Sequence, residues 1–125
     1  MLIQVTEKEA ISVISVKVQA GRTEYKFLDQ YLFKDRKIVG IYASNDYINN
    51  ADVDNLQKKA RLNLLETTGK WAIDGLKVCD LRTYATAFQI RSGKIAWEKS
   101  TLILETAPTP SEIDKVINLI VVYEK

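Results

Sequence analysis

The stretch Ala10-Ile11-Ser12-Val13-Ile14-Ser15-Val16-Lys17-Val18-Gln19-Ala20 decides how this chain is read. On an extended backbone Ser12, Ile14, Val16, Val18 and Ala20 share one face, and Ile11, Val13, Ser15, Lys17 and Gln19 share the other. β-Branched residues dominate the run and are stiff at χ1, which favours a pleated strand over a helix. Ala20-Gly21-Arg22-Thr23 reads as a turn. After it Tyr25, Phe27, Asp29, Tyr31 and Phe33 alternate with Lys26, Leu28, Gln30, Leu32 and Lys34.

The same texture continues to the end of the chain. Lys34-Asp35-Arg36-Lys37 is a charged turn before Ile38–Ala43, and Gly40 within that run predicts a bulge or a close backbone neighbour. Ser44–Asn55 is a polar stretch of Asn and Asp residues, read as a long loop. Asp54–Thr67 has two readings. One is a helix capped by Asp54, with Leu56, Ala60 and Leu64 as its stripe. The other, which we prefer because the rest of the chain is sheet, is a strand at Arg61–Thr67 joined by Thr68-Gly69-Lys70 to a strand at Trp71–Val78. Ser92-Gly93 reads as a two-residue hairpin loop between Thr86–Arg91 and Lys94–Thr106. Pro108-Thr109-Pro110 stops that strand, and Ser111 is placed to cap a single helical turn. Val116–Tyr123, nearly all apolar, closes the chain as a central strand buried on both faces. About eight strands with short connections point to an all-β, two-layer antiparallel sandwich spanning 1–125 as one domain. Jelly-roll-like and immunoglobulin-like topologies are both compatible with it.

Composition excludes more chemistry than it suggests. The 125 residues contain no histidine and one cysteine, Cys79. Nucleophilic sites that use a histidine base are therefore absent as usually built, as is histidine-ligated zinc or haem. Cys79, among Leu76, Val78 and Leu81, reads as a small buried hydrophobe. Eighteen Lys and Arg against 16 Asp and Glu give a net charge of +2, too balanced for a nucleic-acid binder, although Lys58-Lys59-Ala60-Arg61 is a dense basic patch. Asp46, Asp52 and Asp54 lack the glycine and closing glutamate of an EF-hand loop. Asp74, Glu98 and Glu105 have no spacing that defines a carboxylate pair. No Gly-rich phosphate loop is present, so neither cofactor nor metal is expected. The amino terminus has no basic region followed by an apolar one, and the longest apolar run is far short of the roughly 20 residues that span a bilayer. A soluble protein without a membrane partner is the expectation.

Aromatic residues are the remaining candidates. Tyr25, Phe27, Tyr31, Phe33, Trp71 and Trp97 read either as half of a sandwich core or as an exposed stacking row. Tyr42, Tyr47, Ile48, Asn49 and Asn50, around the polar stretch, are the candidate interface residues, because a long loop in so small a chain suits a partner contact.

Two stretches carry a resemblance. Leu32–Ile41 has the form L-x-x-x-x-K-I-x-G-I, and Ile95–Leu104 the form I-x-W-x-K-S-x-L-I-L. Together with an early and a C-terminal strand, they resemble small β-sandwich structural proteins of bacteriophage virions. The resemblance implies a non-enzymatic shell, vertex or connector component, made in the host cytoplasm and located in the virion. Its partners would be copies of itself and other virion subunits. The alternative is a carbohydrate-binding β-sandwich module with Tyr and Trp platforms. A carboxylate-only hydrolase is the third class.

Overall fold

The computed structural model describes residues 7–27, 33–44, 50–82, 88–89 and 94–125, the last-but-one pair as backbone only. The expected sheet-dominated architecture is present: two antiparallel four-stranded sheets and one α-helix. In chain order the strands are β1 (Glu9–Lys17), β2 (Glu24–Lys26), β3 (Ile38–Ala43), β4 (Ala60–Leu65), β5 (Trp71–Lys77), β6 (Phe88–Gln89), β7 (Thr101–Leu104) and β8 (Val116–Glu124). Helix α1 (Ala51–Lys59) joins β3 to β4. One sheet has the order β1-β8-β3-β6 and the other β2-β7-β4-β5. The pairing is nested: first with last, second with seventh, third with sixth, fourth with fifth.

Period-two patterning decides which side chains face inward. Ile14 and Val16 of β1, Ile117, Leu119 and Val121 of β8, and Ile38, Ile41 and Ala43 of β3 are buried. They share one apolar cluster with Tyr25, Ala60, Leu62, Leu64, Ile73, Leu102 and Leu104 of the other sheet. Strict alternation along β3 would put Ile38 and Ile41 on opposite faces. The β3–β8 register shifts between Ile38 and Gly40, so an extra residue restores both isoleucines to the core. This is the bulge that Gly40 predicted. Gly69, at φ +93, makes the β4–β5 turn, its N–H donating to Glu66 O at 2.9 Å.

Phe27 and Phe33 meet Trp97 edge-on, with ring centroids 5.8 and 5.1 Å away. These three rings belong to the core, as the plainer of the two aromatic readings had it.

Several local expectations are corrected. The polar stretch is not loop throughout, since Ala51–Lys59 is helical. Its cap is Asn50 rather than Asp54: the Asn50 side chain accepts from the N–H groups of Asp52 and Val53 at 3.1 and 3.3 Å. The preferred strand after it exists but begins at Ala60, so both readings of this region hold part of it. The run expected as one strand over Lys94–Thr106 is interrupted by a 3-10 turn at Trp97–Lys99, which sinks the Trp97 ring into the core. Ser111 caps nothing and instead donates to Asp52 Oδ1 at 3.0 Å. Cys79 lies half-buried in a 3-10 turn, Val78–Leu81, and not in the core. β8 is central, between β1 and β3; its inner face is buried, while on its outer face Val122 is buried and Val116, Asn118 and Ile120 are half-buried. The expected Ser92-Gly93 hairpin lies outside the described residues.

Candidate interaction surface

The polar region around α1 is held by side chains from distant parts of the chain. Asp54 is paired with Arg82 and, at 3.0 Å, with Lys58. The hydrogen bond from Arg82 and then that from Lys58 hold its carboxyl below the usual aspartate range, against a smaller opposing effect of burial. Lys59 Nζ donates to Glu112 Oε1 at 2.6 Å and to Ala107 O at 3.2 Å, which ties the turn before β8 onto the end of the helix. Asp52 and Asp54 thus serve Ser111, Arg82 and Lys58, and face no common point with a third carboxylate among the described residues.

Of the interface candidates, Asn50 is the helix cap, and Tyr42 sits in mid-sheet at 7% exposure, where burial raises its hydroxyl pKa. Tyr47, Ile48 and Asn49 lie outside the described residues, as does Asp46. Among the described aromatic residues only Trp71 is exposed; Tyr25, Phe27, Phe33 and Trp97 are core. Glu105 accepts from Arg61 Nε at 2.9 Å on the outer face of the second sheet. A surface depression near the β1–β8 end is lined by Glu7, Lys8, Glu9, Glu124 and Lys125, all charged, unlike the mostly apolar wall of a ligand pocket.

The surface with the clearest unmet bonding capacity is a strand edge. Each sheet has two end strands among the described residues, and the two of the second sheet are short or blunted. β2 has three residues. β5 has seven, but Gly75, at φ +71, interrupts it within a register shift. The Gly75 N–H donates to Asn63 Oδ1 at 2.8 Å, and its carbonyl accepts from Arg61 Nη1 at 2.8 Å. Bulges of this kind turn an edge away from pairing.

β1 has none of these devices. Its nine residues pair with β8 in one unbroken register, from Glu9 opposite Glu124 to Lys17 opposite Val116. No strand lies on its other side among the described residues. Its outward face carries Ile11 and Val13, 44% and 52% exposed. An outer row runs inward from this edge: Val13, then Ile120, then Tyr42. The outer face of the second sheet is different in kind, with Glu24, Ile103, Arg61 and Lys77 in one row. Sequence patterning placed Ile11 and Val13 on one face of a strand; it held no signal that the strand ends a sheet.

No protein-family model, curated protein or solved structure matches the chain.

Proposed function

We propose that the chain is a non-enzymatic assembly subunit built as a jelly-roll sandwich, a component of a phage virion that works through protein–protein contact. The observation that carries this reading is the strand order. Nested antiparallel pairs, with β8 between β1 and β3 and β7 between β2 and β4, are what results when a four-pair ribbon is rolled into two facing sheets. Double-sheet jelly rolls of eight strands recur in viral capsid and lectin domains. The step from fold to virion is an analogy of fold joined to the sequence resemblance. In this reading the subunit is made in the host cytoplasm and its partners are further copies and other virion subunits.

Two features favour assembly over the carbohydrate-binding alternative. Of the aromatic residues suited to a stacking row, Tyr25, Phe27, Phe33 and Trp97 are committed to the core and Trp71 alone among the described ones is exposed, while β1 offers a long edge carrying Ile11 and Val13. Sedimentation velocity and negative-stain microscopy of the purified full chain test the proposal. Discrete oligomers, rings or shells are expected. A monomer at every concentration that binds a glycan array would overturn it.

A further inference from the structure

Among the described residues no strand covers the outer edge of β1 at Ile11, Val13 and Ser15, and we infer that a second copy of the chain pairs there antiparallel across a two-fold axis at Val13. This inference rests on the assembly reading above and names its first contact. It begins with the parity of the β1–β8 ladder. Val18 N donates to Lys115 O at 2.9 Å and Lys125 N to Lys8 O at 2.8 Å, continuing the β1–β8 register at both ends. In an antiparallel pair, bonded and non-bonded positions alternate. The even-numbered residues of β1 therefore bond β8. Ile11, Val13 and Ser15 turn their backbone N–H and C=O groups to the open edge.

A two-fold axis between identical strands pairs residues symmetrically about its centre. Centred on Val13, it sets Val13 opposite Val13 and Ile11 opposite Ser15, odd with odd. Every outward backbone group in that set then meets an outward group of the other copy. An axis at Ser12 or Ile14 also sets odd with odd, but leaves residues at one end of β1 without an opposite, so the full nine-residue ladder is kept only at Val13. The same centre puts Glu9 opposite Lys17 at both ends of the ladder, unlike charges facing each other twice. Centring on Ile11 or Ser15 shortens the ladder and loses this match. The paired strands bury the exposed Val13 side chains against each other and join the two β1-β8-β3-β6 sheets into one continuous sheet. The mode is strand addition, in which main-chain bonds hold the partner and the outward side chains select it.

Cysteine pairing tests the register directly. Residues opposite each other at a bonded position have Cα atoms about 5.5 Å apart, within the range a disulfide bridges. In a Cys79→Ser background, Val13→Cys should give a disulfide-linked dimer under mild oxidation. Ser15→Cys should not, because the matching residue of the other copy lies roughly 14 Å along the strand at ~3.4 Å per residue. Cross-linking through Ser15→Cys but not Val13→Cys overturns the Val13 axis. As a second variant, Val13→Lys places a charge on the exposed outer face, a device natural edges use. It should keep the thermal unfolding of the parent and sediment at the 14.2 kDa of the monomer, or as a smaller assembly than the parent. An assembly unchanged by Val13→Lys, with no Val13→Cys cross-link, overturns β1 pairing yet leaves the assembly reading intact. A parent chain that is monomeric throughout overturns both.

Discussion

Glu112 shows what a single buried carboxylate does in a chain of this composition. Its side chain is 5% exposed, and burial alone would raise its pKa. The hydrogen bonds from Lys59 and from Thr109, whose N–H lies at 2.9 Å, together with the Lys59 charge outweigh that effect and hold it below the usual glutamate range. A carboxyl whose folded pKa is depressed contributes stability above its unfolded pKa and loses it as pH falls through the folded value. Asp54 shifts in the same direction. Stability should therefore decline on the acid side of about pH 4.5, and urea unfolding across pH 3–7 checks it. Glu112→Gln should cost about 1–3 kcal/mol at pH 7, because it leaves Lys59, 17% exposed, with a weaker partner. The gap between variant and parent should narrow in acid. A constant gap would mean that Glu112 acts by shape rather than by charge.

Among the elements, α1 and β8 make opposite demands. Helix α1 has nine residues and buries only Val53, Leu56 and Gln57, too thin a stripe to hold a helix by packing alone. The Asn50 cap, Asp52 and Asp54 in the first turn and Lys58 and Lys59 in the last supply the rest, each sign placed to suit the helix dipole. Asn50→Ala should cost about 1 kcal/mol in chemical denaturation while leaving association unchanged. Weaker association at unchanged stability would return Asn50 to the interface. β8 depends on burial instead. Leu119→Ala should cost about 2–5 kcal/mol, since Leu119 is fully buried between β1 and β3. Ile120→Ala, on the half-exposed outer face, should cost clearly less. Equal losses from thermal melts of the two variants would contradict the assigned faces.

At the scale of the molecule, the described residues hold one short helix beside two four-stranded sheets, so the far-ultraviolet circular dichroism is expected to be sheet-dominated. A helix content near the globular average of roughly one third would be incompatible with this architecture.

The sequence by itself determined that the chain is mostly strand, and it placed β1, β3, β5 and β8 close to where they lie. Steric preference and period-two alternation are local, so Ile14 and Val16, Tyr25 and Phe27, the Gly40 bulge and the Gly69 turn were legible from neighbours along the chain. The helical run Ala51–Lys59 was not, because besides its local Asn50 cap it is held by distant segments, through Arg82 on Asp54, Ser111 on Asp52 and Glu112 on Lys59. Nor was the break at Trp97–Lys99. It exists because the indole packs against Phe27 and Phe33, which lie far away in sequence. The candidate site divides in the same way. Alternation placed Ile11 and Val13 together on one strand face, and the apolar run Val116–Tyr123 already pointed to a central strand, but only the tertiary structure decided that β1 ends its sheet among the described residues. Strand pairing is a contest among distant segments for the same backbone groups, and nothing local to Glu9–Lys17 records which of its two edges β8 takes.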